Sequence, residues 1–205
     1  MIFRVLNSRY FVWALLAWPA VGMTRFLISG LMEPYDKLIM EQMLHPTGEF
    51  SARFMIVAMM CTPLRMLFPQ SRFVRWLMKN RRYFGVAAFM YALAHTIFYI
   101  LDMQFLYAIV DEFWIASIWT GWLAFAIFIP LVLTSNNAAV KRLGKAWKSL
   151  QRWVYPAAVA TLVHWILVHN NWGPALVHFV PLAALEAYRI WRVYFSPTHQ
   201  RTPAQ

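Results

Sequence analysis

Apolar runs of bilayer length, separated by short charged links, leave this chain few folds to adopt. Residues 10–28, 51–68, 83–101, 113–134, 153–169 and 174–195 are each predominantly apolar. Each is long enough to cross a hydrocarbon core of ~30 Å as an α-helix, some with a tilt. None alternates apolar and polar residues between turn signals, which argues against a β-barrel. The sequence therefore predicts an all-α polytopic membrane protein. Its expected form is a six-transmembrane-helix bundle making one domain over residues 1–205. Only 13 % of the residues are charged, where soluble domains carry about a quarter. The run 10–28 exceeds a signal-peptide core and is followed by no small-residue cleavage site before a soluble sequence, so it reads as a span.

The net charge is +11. In a soluble protein that excess would point to nucleic acid. Here most basic residues stand in short links between spans, as topology control requires, and nucleic acid is excluded as a partner. The links alternate in sign. Arg4 and Arg9 precede the first span, and Glu33, Asp36, Glu41 and Glu49 follow it, with Lys37 opposed. Next come Arg72, Arg75, Lys79, Arg81 and Arg82, then Asp102, Asp111 and Glu112, then Lys141, Arg142, Lys145, Lys148 and Arg152. Positive links stay in the cytoplasm. Both termini are expected there, with the acidic links outside. The basic links also suit the anionic lipid of the bilayer.

The longest link, 29–49, is expected to carry a short surface helix over 36–44, ended by Pro46-Thr47-Gly48, with His45 solvated at that end. The lone cysteine, Cys61, excludes an internal disulfide and a cysteine-held iron–sulfur cluster, and should pack as a small apolar residue.

Two histidines lie inside spans. His95 is thirteen residues past Arg82, and His164 is twelve past Arg152. Both spans enter from the same side, so at 1.5 Å per residue the two rings lie level, ~18–20 Å above the basic boundary. One buried histidine is served equally well by a carbonyl on a neighbouring helix. Two at one depth on different helices point to a haem between helices three and five, with an imidazole on each face of the ring. A bare zinc or copper ion is less suited, because no third ligand is clearly placed. His178, in the last span, is a rival ligand whose better role is structural. His169 lies near the outer boundary, turned away from His164, where it could meet a haem propionate or an external partner. His199 is expected in a solvated tail. Gly85 and Gly121 could admit a macrocycle or merely close helix packing, and Arg53 or Arg25 could pair with a propionate or snorkel to the headgroups. Met55, Met59, Met60 and Met66 read as packing.

Several segments resemble one family. They are Arg81-Arg82-x-x-Gly85 leading to Tyr91-Ala92-Leu93-x-His95, and Pro130-Leu131-x-Leu133-Thr134-Ser135-Asn136. The most specific is Leu143-Gly144-x-x-Trp147-x-x-Leu150-Gln151-x-x-Val154-Tyr155, reaching His164-Trp165. His45-Pro46-Thr47-Gly48-Glu49 and Thr62-Pro63-Leu64-Arg65 add to them. Together they resemble the MsrQ (YedZ) family, haem-binding membrane subunits of the methionine sulfoxide reductase system, within the ferric-reductase-like transmembrane superfamily. The resemblance implies a bacterial inner-membrane protein of six helices with b-type haem. It implies electrons taken from the cytoplasmic side, through a flavin reductase or quinol, and passed to a periplasmic molybdenum-containing methionine sulfoxide reductase. On that view the chain is an electron-transfer subunit of an oxidoreductase and not the catalytic one. It matches His95 and His164 to the family's haem ligands. The family also implies FMN, whose site these residues do not place. A further family histidine, in a Leu-His-x-x-Val-Tyr element, is Gln151 here. Either this chain holds one haem or its inner electron entry differs.

Two other functions remain open on the residues. One is a stand-alone transmembrane ferric or quinone reductase, although no NADPH- or FAD-binding domain follows the last span. The other is a haemless transporter or membrane scaffold, for which Glu186 alone is an acidic residue well inside a span.

Overall fold

The computed structural model describes residues 8–32 and 38–195. Arg4, Glu33, Asp36, Lys37 and His199 lie outside them. The described chain is helical with short connections. Its elements are α1 (Arg9–Leu31), α2 (Ile39–Leu67), α3 (Arg72–Met103), α4 (Leu106–Glu112), α5 (Ala116–Leu133), α6 (Asn137–Leu143), α7 (Lys145–Gln151), α8 (Val154–His169) and α9 (Trp172–Tyr194). Four of them, α1, α2, α3 and α5, are long and apolar enough to cross a membrane. Helices α8 and α9 occupy the places of the other two expected spans, but α8 has only 16 residues and α9 carries Glu186, Arg189 and Arg192.

Polar side chains mark several boundaries. Ser8, Ser71, Asn136 and Asn171 each accept a backbone N–H at a helix start, satisfying donors the helix cannot. Gly144, at φ +52°, makes the turn between α6 and α7. Helix α8 ends where Asn170 enters the left-handed region.

The expected surface helix with a stop at Pro46 does not form. Helix α2 starts at Ile39 and runs unbroken through Pro46 to Leu67. Proline costs one intrahelical hydrogen bond, but Ile39, Met43, Thr47, Ser51, Met55 and Met59 form a buried stripe at every fourth residue across it. Thr47 Oγ1 donates to Met43 O at 2.6 Å, so the buried hydroxyl is satisfied within its own helix. Packing of that stripe outweighs the local breaker. Similarly, α3 begins at Arg72, so the basic link before the third expected span is already helical.

Helices α2, α3, α5, α8 and α9 pack in a ring, each against the next, and α1 lies outside against α2 and α3. One core cluster lies within the ring around Met55, Met59, Phe128, Trp165 and Phe179. A second, around Val12, Leu16, Cys61 and Phe84, seats α1. Cys61 is fully buried there, and its thiol donates to Val57 O. The ring has an acidic end, with Glu41, Asp102 and Glu112, and a basic end, with Arg72, Arg82, Lys145 and Arg192.

Candidate functional site

His95, on α3, and His164, on α8, are brought together across the ring interior. Their ring centroids are 6.0 Å apart and their planes are crossed at 84°. Each imidazole is held from behind by a carbonyl of a neighbouring helix. His95 Nδ1 donates to Leu44 O on α2 at 2.9 Å, and His164 Nδ1 donates to Ser117 O on α5 at 2.6 Å. This selects one tautomer in both rings and leaves each Nε2 without a hydrogen-bond partner among the described residues.

Two glycines make room for the rings. A Cβ on Gly48 would stand 3.0 Å from His95 Nδ1, and one on Gly121 would stand 2.8 Å from His164 Cε1 and Nδ1. Gly48 lies one turn from Leu44, and Gly121 one turn from Ser117, so each neighbouring helix offers both a carbonyl and a gap. The sequence reading overlooked Gly48. Its signal is a small residue one turn past Leu44, whose carbonyl accepts from His95, and it counts only because α2 runs through Pro46. Gly85 is corrected: it is exposed, a Cβ there would meet nothing within 4 Å, and it does not line the cavity.

The rings open onto a cavity of about 370 Å³ between the α2/α3 and α5/α8 pairs. Trp122, Phe125, Phe128 and Trp165 supply apolar wall, and His45, Glu49, Asp102, Glu112 and His169 line its polar end. Trp165 keeps its indole N–H buried without a partner among the described residues. These features fit a flat, largely apolar metallocofactor. A metal bonded to one nitrogen of each ring at about 2.0–2.1 Å would put the centroids roughly 6–6.5 Å apart. Leaving two imidazole nitrogens unpaired in an apolar cavity costs ~1–3 kcal/mol each, which ligation would remove. Among the described residues, no group of three or more His, Cys, Asp or Glu side chains is placed to hold a bare metal ion.

Arg53 is not free to reach a propionate. Its guanidinium donates to Glu49 Oε1 at 2.5 Å and to His178 Nε2 at 3.1 Å, and it does not line the cavity. The cause is the earlier start of α2, which moves Arg53 from the end of a span to its interior. His178 is fixed by that bond and by Pro174 O at 2.7 Å, and it stacks on Trp165. His45 is exposed as expected but stands on α2 and not in a loop, and its Nδ1 lies 3.3 Å from His169 Nε2. Gln151 donates to Leu131 O and Thr134 Oγ1, both at 3.1 Å, near the basic end and away from the cavity. Glu186 pairs with Arg189 at 2.6 Å, and Arg189 in turn reaches Tyr155.

Residues 47–162 match the family model described as the ferric reductase like transmembrane component. Proteins of Brucella ovis, Brucella canis and Brucella suis, each named protein-methionine-sulfoxide reductase heme-binding subunit MsrQ, are 33 % identical over 163 residues. The match covers 78 % of this chain and 71 % of each relative. No solved structure matches. The family match contains Gly48, His95 and Gly121 and stops two residues short of His164. The chain belongs to the ferric-reductase-like transmembrane proteins and, among them, to the MsrQ family.

Proposed function

We propose that this chain is a membrane electron carrier holding one b-type haem between His95 and His164. One observation carries the reading: two imidazoles from different helices meet beside the cavity, their centroids 6.0 Å apart, each with Nδ1 bonded to a carbonyl and Nε2 without a hydrogen-bond partner among the described residues. Haem would supply a one-electron iron couple within the bilayer. The residues of the chain do the rest. The Leu44 and Ser117 carbonyls orient the two imidazoles and would raise their basicity toward a bound iron. Phe125, Phe128 and Trp165 keep water from the cofactor faces, and Gly48 and Gly121 let the helices close on the rings.

All six apolar helices cross the bacterial inner membrane in this reading, with the basic end and both termini in the cytoplasm. The relatives' name places such a subunit with a methionine sulfoxide reductase. Electrons would enter at the basic end, from a flavin reductase or quinol with FMN as a possible intermediary, and leave at the acidic end for a periplasmic molybdenum-containing reductase.

The test is a reduced-minus-oxidised visible spectrum of the purified protein, with a pyridine haemochrome assay. Wild type should show a low-spin b-type haem, and His95→Ala and His164→Ala should each lose most of it. Native spectra in both variants would overturn the ligand assignment.

A further inference from the structure

Haem is amphipathic, and its two propionates set how it sits. Ionised carboxylates are costly to bury, so the propionate edge must leave by a polar, water-reached opening where hydrogen-bond donors await it. The cavity has such an opening at the acidic end, where His45 and His169 are both exposed. Yet most of the polar groups there are acceptors. Glu41, Glu49, Asp102 and Glu112 all line the cavity.

The donors can be eliminated in turn. Thr96 Oγ1 is committed to Ala92 O at 3.0 Å, and Tyr99 OH points to Glu112 Oε2 at 3.5 Å. The Trp165 N–H is buried in the apolar core beside Phe179, no place for an ionised carboxylate. Arg53 is engaged by Glu49 and His178. Ser51 and Thr161 are bonded to carbonyls of Ala88 and Ala157, which leaves His45 and His169 as the exposed donors at the mouth, bonded to each other in a contact that an incoming carboxylate would have to replace. They come from α2 and α8, lie 3.3 Å apart nitrogen to nitrogen, and cross at 88°. His45 Nε2 is also 3.7 Å from Glu49 Oε2. Arg53 balances the charge of Glu49, the carboxylate nearest the pair.

We propose that His45 and His169 form a clamp at the cavity mouth that hydrogen-bonds the propionate carboxylates of the haem. The clamp rests on the haem reading above and adds to it a direction: the propionate edge faces the acidic end. It also ties α2 to α8 through the cofactor's edge, as the axial ligands tie α3 to α8 through its centre. His45 and His169 position the cofactor and are not iron ligands.

The experiment measures haem transfer from the detergent-purified full chain to excess apomyoglobin, for wild type, His45→Ala, His169→Ala and their glutamine counterparts. Wild type is also reconstituted with iron protoporphyrin IX dimethyl ester, which keeps the iron and loses both carboxylates. The alanine variants should keep a low-spin spectrum and release haem about tenfold faster, the usual effect of removing an outer partner of a metal site. Glutamine, which retains an N–H donor, should restore most of the retention. Wild type should release the ester as fast as the alanine variants release haem. Release at the wild-type rate from both alanine variants, or equal retention of ester and diacid by wild type, would overturn the clamp and leave axial ligation standing. Absence of low-spin haem from wild type would overturn axial ligation, and the clamp with it.

Discussion

At the scale of single residues, two glycines do what their composition alone would not suggest. Gly121 leaves space for the His164 ring on the helix whose Ser117 carbonyl holds that ring. A methyl group there would stand 2.8 Å from two ring atoms, closer than unstrained contact allows. The ring cannot retreat without losing its bond to Ser117. Gly121→Ala should therefore cost ~1–3 kcal/mol, the usual penalty of overpacking, and weaken haem retention. Gly85→Ala should be neutral or stabilise by ~0.5–1 kcal/mol, because an exposed helix interior favours alanine over glycine. Thermal unfolding and the Soret band of both variants check this. Identical behaviour would remove Gly121 from the site.

At the scale of elements, α1 is attached by an unusual splice. Tyr91 OH accepts from Ala20 N at 3.0 Å and donates to Leu16 O at 3.1 Å. Those are the two groups that an undisturbed helix would join to each other, so the phenol is inserted into the ladder of α1 beside Pro19. Tyr91 sits one turn before His95, so the same face of α3 grips α1 and presents the ligand. Tyr91→Phe should cost ~1–3 kcal/mol by leaving a buried donor and acceptor apart. Hydrogen–deuterium exchange at Ala20 should rise while the haem spectrum persists. Unchanged exchange would mean that α1 closes its own bond once the phenol is gone.

At the scale of the molecule, a ring of five helices encloses a cavity at one level, toward the acidic end. Gln151 stands elsewhere, joining α7 to the end of α5 through Leu131 and Thr134. That arrangement predicts one haem per chain. Gln151→Ala should leave stoichiometry and spectrum unchanged while losing about 1 kcal/mol of stability, the worth of an ordinary hydrogen bond. A pyridine haemochrome count on both proteins checks it, and two haems per wild-type chain would require ligands outside this cavity.

What the sequence determined by itself is height along the helices. Apolar runs mark where helices lie, and a fixed rise per residue places His95 and His164 level with each other. Both properties are local, so they survive without knowledge of neighbours. Azimuth and partnership are not local. Whether Pro46 ends a helix depended on the buried stripe that runs past it. Whether Arg53 faces solvent or Glu49 and His178 depended on where α2 begins. Gly85 and Gly121 look alike in the sequence and differ only in what stands opposite. His45 and His169, 124 residues apart, meet because α2 and α8 pack in one ring. Only tertiary packing decides which helix face meets which, because many arrangements bury a similar apolar area and side-chain complementarity selects among them.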